Sequence, residues 1–193
     1  MTKLQKLEQA VRDLYEKRNP ARADWADWLY ENHVFVVADF AEELALRYNA
    51  DVQLCRAAAV LHDIADTVMS RFDPTHEEES LAIARKLLAE AGYTKNEIAT
   101  IADDAIRYHS CHDGKRPKTL VGDILATADA LAHLTTDFYT HTTEVLMKDR
   151  PKADTQSWAA KKIPRDYHDK IAFDEVREET KPYYEKLTAR FLI

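Results

Sequence analysis

Glycine occurs only three times in 193 residues and proline six times, so the chain has few places for the tight turns a sheet needs. Helices need far fewer such positions. Ala, Leu, Glu and Lys, which enter helices at little cost, are abundant. The expected fold class is therefore all-α.

Periodicity and punctuation place the helices. One covers about residues 2–18 and stops near Asn19-Pro20; a second starts at Asp24, as N-cap, and runs to about Tyr48. Asp51 caps a third, which ends at His62-Asp63. Residues 67–75 read as a loop, with Thr75 opening a fourth helix, Glu78 as its capping-box partner and Gly92 closing it. A fifth runs from about Thr94 to His109, and CHDGKRPK (111–118) is a loop. A sixth runs from Thr119 to about Thr135. The remainder reads as two helical pieces with residues 149–164 loose between them. The length suits one domain, 1–193, with a core over about 24–136 and a helical extension over about 137–193.

Charge and cysteine content exclude several functions. The net charge of −7 gives no broad basic surface, so an extended nucleic-acid interface is not expected, although a local basic rim on a pocket is compatible with it. Cys55 and Cys111 form no CxxC or disulfide pattern, and reduced thiols in the cytoplasm are the expectation. MTKLQKLEQAVRDLYEKR is amphipathic but heavily charged, without a signal-type apolar core. No apolar run approaches the ~20 residues that span a bilayer. No glycine pattern of the Walker or dinucleotide-binding type occurs.

The informative residues are polar ones on apolar helix faces. His33 shares a stripe with Val36, Val37, Phe40, Ala41 and Leu44; His62 and Asp63 close the segment AAAVLHDIAD (57–66); His109 continues Ile98, Ile101, Ala102, Ala105 and Ile106. Asp129 follows Leu125 by one turn inside an apolar helix. Two inward carboxylates beside three imidazoles need compensation, because a buried unpaired charge costs several kcal/mol. A divalent cation supplies it, taking N and O donors directly, so the His62-Asp63 pair reads as half of a metal site.

His33 in ENHVFVVADFAEELA, then His62 and Asp63, then AIRYHS (105–110), then Asp129 in GDILATADAL (122–131), resembles the HD-domain superfamily of metal-dependent phosphohydrolases over about residues 28–135. The nearest type is the small bacterial single-domain proteins. The resemblance implies a helical bundle of five or more helices around a metal, with His33, His62, Asp63 and Asp129 as its ligands. It implies hydrolysis of a phosphoester or phosphoanhydride in a small phosphorylated substrate, a nucleotide being expected. The metal would be Mn, Mg, Co, Ni or Fe, which mixed N and O ligands do not distinguish. A second metal stays open, since some relatives use further histidines, here His76 and His109. The other reading of those two residues is that they bind substrate phosphate.

Asp66, one turn beyond Asp63, is the first choice for proton transfer and Glu77 the second, against readings as a cap and a solvated first turn. Lys115 and Arg116, with Lys118, are expected to clamp phosphate from the loop after His109, or else to form an ordinary exposed turn. The aromatics Trp25, Trp28 and Tyr30 read as packing. The C-terminal third covers the domain, shapes the pocket mouth or forms a homodimer interface; the sequence leaves these open. Two rivals to the hydrolase also stay open: a di-iron HD-type oxygenase, and a non-catalytic HD domain that binds a nucleotide or a partner.

Overall fold

The structure, a computed structural model, describes residues 1–147 and 150–191. Every regular element among them is helical. Helix α1 (Lys3–Glu16) is started by a capping box between Thr2 and Gln5 and buries Leu7, Val11 and Tyr15. Helix α2 (Ala26–Leu29) continues through a widened π-helical turn, Tyr30–Val34, into α3 (Phe35–Arg47). Asp24 does not cap it: Trp25 holds the N-cap position, with no side-chain bond.

Asp51 does cap α4 (Val52–Leu61), its carboxylate accepting from the N–H groups of Gln53 and Leu54. A 3₁₀ turn, Ile64–Thr67, follows. Helix α5 (His76–Ala91) ends where Gly92 takes a left-handed φ of 93°, a conformation glycine adopts without steric penalty. The expected Thr75–Glu78 capping box is absent. The Thr75 hydroxyl donates instead to Asp73, and Glu78 accepts from Arg107.

Helix α6 (Lys95–Ile98) carries a Thr94–Glu97 capping box and widens into a second π-helical stretch, Ala99–Ile106. Helix α7 (Leu120–Thr135), capped by Thr119, is buried along most of its length. It packs on α3, α4 and the Ala99–Ile106 stretch, and is the axis of the molecule. Its first turn lies so close to Pro117 that a Cβ at Gly122 would have no room.

The rest of the chain covers α7. Helix α8 (Phe138–His141) runs into a widened turn, Thr142–Leu146. Helix α9 (Lys152–Arg165) ends in another, Asp166–Lys170, and α10 (Asp174–Phe191) packs on α7 and α9. The stretch expected to be loose is thus helical from Lys152 on, with Asp149 outside the described residues. Pro151 precedes the first turn, where its missing N–H loses no bond, and Ala159 and Ile163 give the helix a buried face. A single apolar cluster runs from Leu7 in α1 to Val176 in α10. Among the described residues no helix is long and apolar enough to cross a membrane.

Candidate metal centre

Three helices deliver one donor each. His33 sits in the widened turn Tyr30–Val34, His62 is the residue after α4, and Asp129 lies mid-way along α7. All three are about 2 % exposed, and one ligand atom from each lies within 4.8 Å of the other two. His62 Nδ1 is 2.7 Å from the Ala59 carbonyl oxygen, to which it donates, so Nε2 is left facing inward. That Nε2 stands 3.2 Å from Asp63 Oδ2 and 3.7 Å from Asp129 Oδ1. His33 Nε2 is 3.2 Å from the same Asp129 oxygen.

These atoms crowd together without bonding. His33 Nδ1, His62 Nε2 and Asp129 Oδ1 are buried and have no hydrogen-bond partner. With its proton on Nδ1, His62 presents a lone pair to two carboxylate oxygens, an arrangement that calls for a cation between them. Metal bonds to such donors are about 2.0–2.2 Å, which places two ligands of one ion roughly 3–3.6 Å apart. The two separations of 3.2 Å fall in this range and the one of 3.7 Å lies just above it, so the residues fit a divalent ion.

Electrostatics point the same way. Burial would raise the Asp129 carboxyl, but His133, Lys170 and His33 around it hold it well below the usual carboxylate range. Burial opposes ionisation of Asp63 too, and Arg71 and His62 outweigh it. Burial lowers the His33 pKa against the pull of the Asp129 carboxylate beside it, whereas Asp63 and Asp129 raise that of His62 despite burial.

Asp63, expected as a fourth ligand, lies beside the three-residue cluster and not within it. Its Oδ2 adjoins His62, but Arg71 Nη1 donates to it at 2.7 Å, so as a ligand it would share that oxygen with a guanidinium. Asp66 requires a larger correction. It is fully buried; Arg71 Nε donates to Oδ1 at 3.1 Å, a second Arg71 nitrogen donates to Oδ2, and His76 Nε2 is 3.0 Å from Oδ1. Both oxygens of the carboxylate are engaged by Arg71 and His76, and Asp66 does not line the cavity beside the centre.

His62, Asp63, His76 and His109 line one cavity of about 270 Å³, and Glu77 is exposed at its mouth. His109 Nδ1 donates to the Ile106 carbonyl at 2.6 Å, and burial pushes its pKa down to about 4, so the ring is neutral near pH 7. Lys115 and Arg116 are exposed and outside this cavity, Lys115 lining a shallow neighbouring depression instead. The loop turns at Gly114, which takes a left-handed φ of 71°.

Other cations take their place in the cavity wall: Arg71, Arg107, Lys162, Arg165 and Lys170. Lys170, 1 % exposed, donates to Asp129 Oδ2. The His133 ring stands between Asp129 Oδ1 (3.2 Å from Nε2) and Asp166 Oδ2 (3.1 Å from Nδ1), and Asp166 accepts from Tyr139 and Lys162. Burial presses His133 down to about 3 and Lys162 to about 8. His133 was discoverable in the sequence, one turn beyond Asp129 on the same face. Trp25, Phe138 and Trp158 give the cavity an apolar side, so Trp25 does more than pack, while Trp28 stacks on His141 and Tyr30 on Tyr15.

The fold and this centre define a helical metal-site domain of the His…His-Asp…Asp kind. The chain belongs to the HD-domain family, whose model, described as HD domain, matches residues 30–134. Ribonuclease Y of a Thermus thermophilus strain is 34 % identical over 100 residues, which are 52 % of this chain and 16 % of that protein. Ribonuclease Y 1 of Pediococcus pentosaceus is 30 % identical over 101 residues, 52 % of this chain and 17 % of that one. The chain therefore matches only about a sixth of the length of these relatives. A solved structure described as a predicted HD superfamily hydrolase, from an uncultured Thermotogales bacterium, shares the fold with a TM-score of 0.63 and 23 % identity. It covers 99 % of this chain and 92 % of its own.

Proposed function

We propose that this chain is a metal-dependent phosphohydrolase acting on a small phosphorylated compound, a nucleotide being the first class to test. One observation carries the reading: the buried side chains of His33, His62 and Asp129 bring ligand atoms together beside a cavity walled by cations, and two of those atoms, His62 Nε2 and Asp129 Oδ1, have no hydrogen-bond partner. Membership of the HD family supports it, and relatives named as ribonucleases fit a phosphorus–oxygen ester as the bond attacked.

His33, His62 and Asp129, with Asp63 adjoining, would hold the ion. When bound, it would polarise a phosphoryl oxygen and lower the pKa of a coordinated water. The chain's own residues do the rest. Lys170 fixes the Asp129 carboxylate through Oδ2, and the Ala59 carbonyl fixes the His62 ring. Arg71, anchored by Asp63 and Asp66, offers a rigid guanidinium beside the reacting group, where charge develops on phosphorus-bound oxygens. His109, neutral with its proton on Nδ1, lines the cavity and can accept at Nε2. Glu77 has an unengaged carboxylate at the mouth among the described residues, and is the candidate to carry a proton to or from the leaving group. Trp25, Phe138 and Trp158 suit an organic leaving group with a flat apolar part.

Phosphate release from a panel of nucleotides and simple phosphate esters, under Mn, Mg, Co, Ni and Fe in turn, tests the proposal. Turnover should need a divalent ion and vanish in His62→Ala, along with about one equivalent of bound metal. Metal-independent release, or full activity in His62→Ala, would refute it. A second metal gains no support from His76, whose Nε2 is engaged by Asp66.

A further inference from the structure

Four of the five cations in the cavity wall are matched by carboxylates. Arg71 pairs with Asp63 and Asp66, Arg107 with Glu78, Lys162 with Asp166, and Lys170 with Asp129. Arg165 is different. Among the described residues it forms no ion pair, and its polar partner is the His112 ring, with Nη1 donating to Nδ1 at 2.9 Å. Its Nε is buried and has no partner. The Nε–Nη2 edge of the guanidinium, the fork that grips two oxygens of a phosphate or carboxylate, is thus unused in a chain of net charge −7.

The neighbours reinforce this. A His112 ring that accepts at Nδ1 carries its proton on Nε2, giving another N–H donor. Burial, with Arg165 and Lys162 next to it, keeps that ring neutral by lowering its pKa. Lys162, one helical turn before Arg165 on α9, lines the same cavity, 3.3 Å from the Nδ1 of the His133 that touches Asp129. The subsite therefore adjoins the metal centre without sharing its ligands.

We infer that Arg165, with His112 and Lys162, forms an anion subsite that holds a phosphate group of the substrate other than the one attacked, so that preferred substrates carry two or more linked phosphates. The inference rests on the phosphohydrolase reading for the word substrate, but not for the binding itself. Arg165 and Lys162 lie beyond residues 30–134, so the two cations of this subsite come from the C-terminal segment, and His112 from the family-matched core.

Inorganic pyrophosphate is the probe. Its binding is measured by titration calorimetry to the full chain as purified, to Arg165→Met, to Arg165→Lys, and to each of these combined with His62→Ala. Arg165→Met should weaken binding about tenfold or more, in both backgrounds, and Arg165→Lys should fall between, because an ammonium keeps charge but not the fork. If Arg165→Met melts early, Arg165→Lys carries the comparison alone. Unchanged affinity in the Arg165 variants, no binding to the native chain, or binding that depends on His62 and ignores Arg165 would each overturn the subsite. The last result would leave the phosphohydrolase proposal intact. Conversely, Arg165-dependent binding with no hydrolysis of any phosphate ester would keep the subsite and remove the reaction.

Discussion

Lys170 donates from its buried ammonium to Oδ2 of Asp129, so the carboxylate that offers Oδ1 to a metal is held on its other oxygen by a cation from the C-terminal segment. A charge from outside the family-matched residues thereby stands in direct contact with the centre.

Lys170→Met should destabilise the metal-free protein by about 3–5 kcal/mol, the usual penalty for removing one partner of a buried pair. Divalent metal should recover a large part of that loss, since an ion on Oδ1 compensates the same carboxylate. Urea unfolding with and without metal reads both effects; a loss below about 1 kcal/mol would show that Asp129 does not depend on Lys170.

Asp66→Asn keeps the shape of a side chain that holds Arg71 and His76 but removes its charge. Metal content should stay near that of the native chain while turnover falls on the order of 10- to 100-fold, as for other supporting groups around a metal site. The pH–rate profile should keep its form. Loss of one limb of that profile would instead restore Asp66 as the proton carrier.

Lys115→Ala/Arg116→Ala should change KM by less than about twofold, because both residues are exposed, outside the main cavity, and screened by solvent. A rise of tenfold would mean that the loop folds over the cavity when substrate is bound.

His109 links stability to acid. Burial lowers its folded-state pKa to about 4, below the ordinary value of 6.5, so between those limits the unfolded chain binds more protons. Stability should decline as the pH falls from 6.5 towards 4, and this contribution should be flat below that. His109→Asn removes the contribution, and chelator-treated protein should then lose less melting temperature over that interval. Equal slopes for the two proteins would contradict the assignment.

Local rules made His33, His62, Asp63 and Asp129 legible, because a polar residue on an apolar helical stripe must have a reason to be inside. The same rule reaches His133. It does not reach Lys170, which is 41 residues from Asp129 and sits among other charged residues in DYHDK. Its burial is a tertiary fact with no local signature. Asp66 misled for a related reason: helical spacing aimed it correctly, but Arg71 and His76 claim its oxygens, and both reach it through a loop whose path periodicity does not describe. The caps at Asp51 and Thr119 formed as read, whereas Thr75 lost its role to Asp73. Helix α9 was obscured by Pro151, which holds its N-cap, and by Pro164, which lies inside its last turn.

The widened turns at Tyr30–Val34 and Asp166–Lys170 hold His33, Asp166 and Lys170, and each contains more chain than a regular helical turn over the same rise. Removing one residue from such a turn would let the helix close to ordinary α geometry with little loss of hydrogen bonding and its far side nearly in register, yet would shift the side chains carried by the turn itself, His33 in one and Asp166 and Lys170 in the other. The polypeptide would still fold, with every histidine and aspartate retained, and the centre would be gone. Part of what specifies this site is therefore a count of residues rather than their identity, and two chains with the same four metal-type side chains can differ by a single deletion in whether they possess a centre at all.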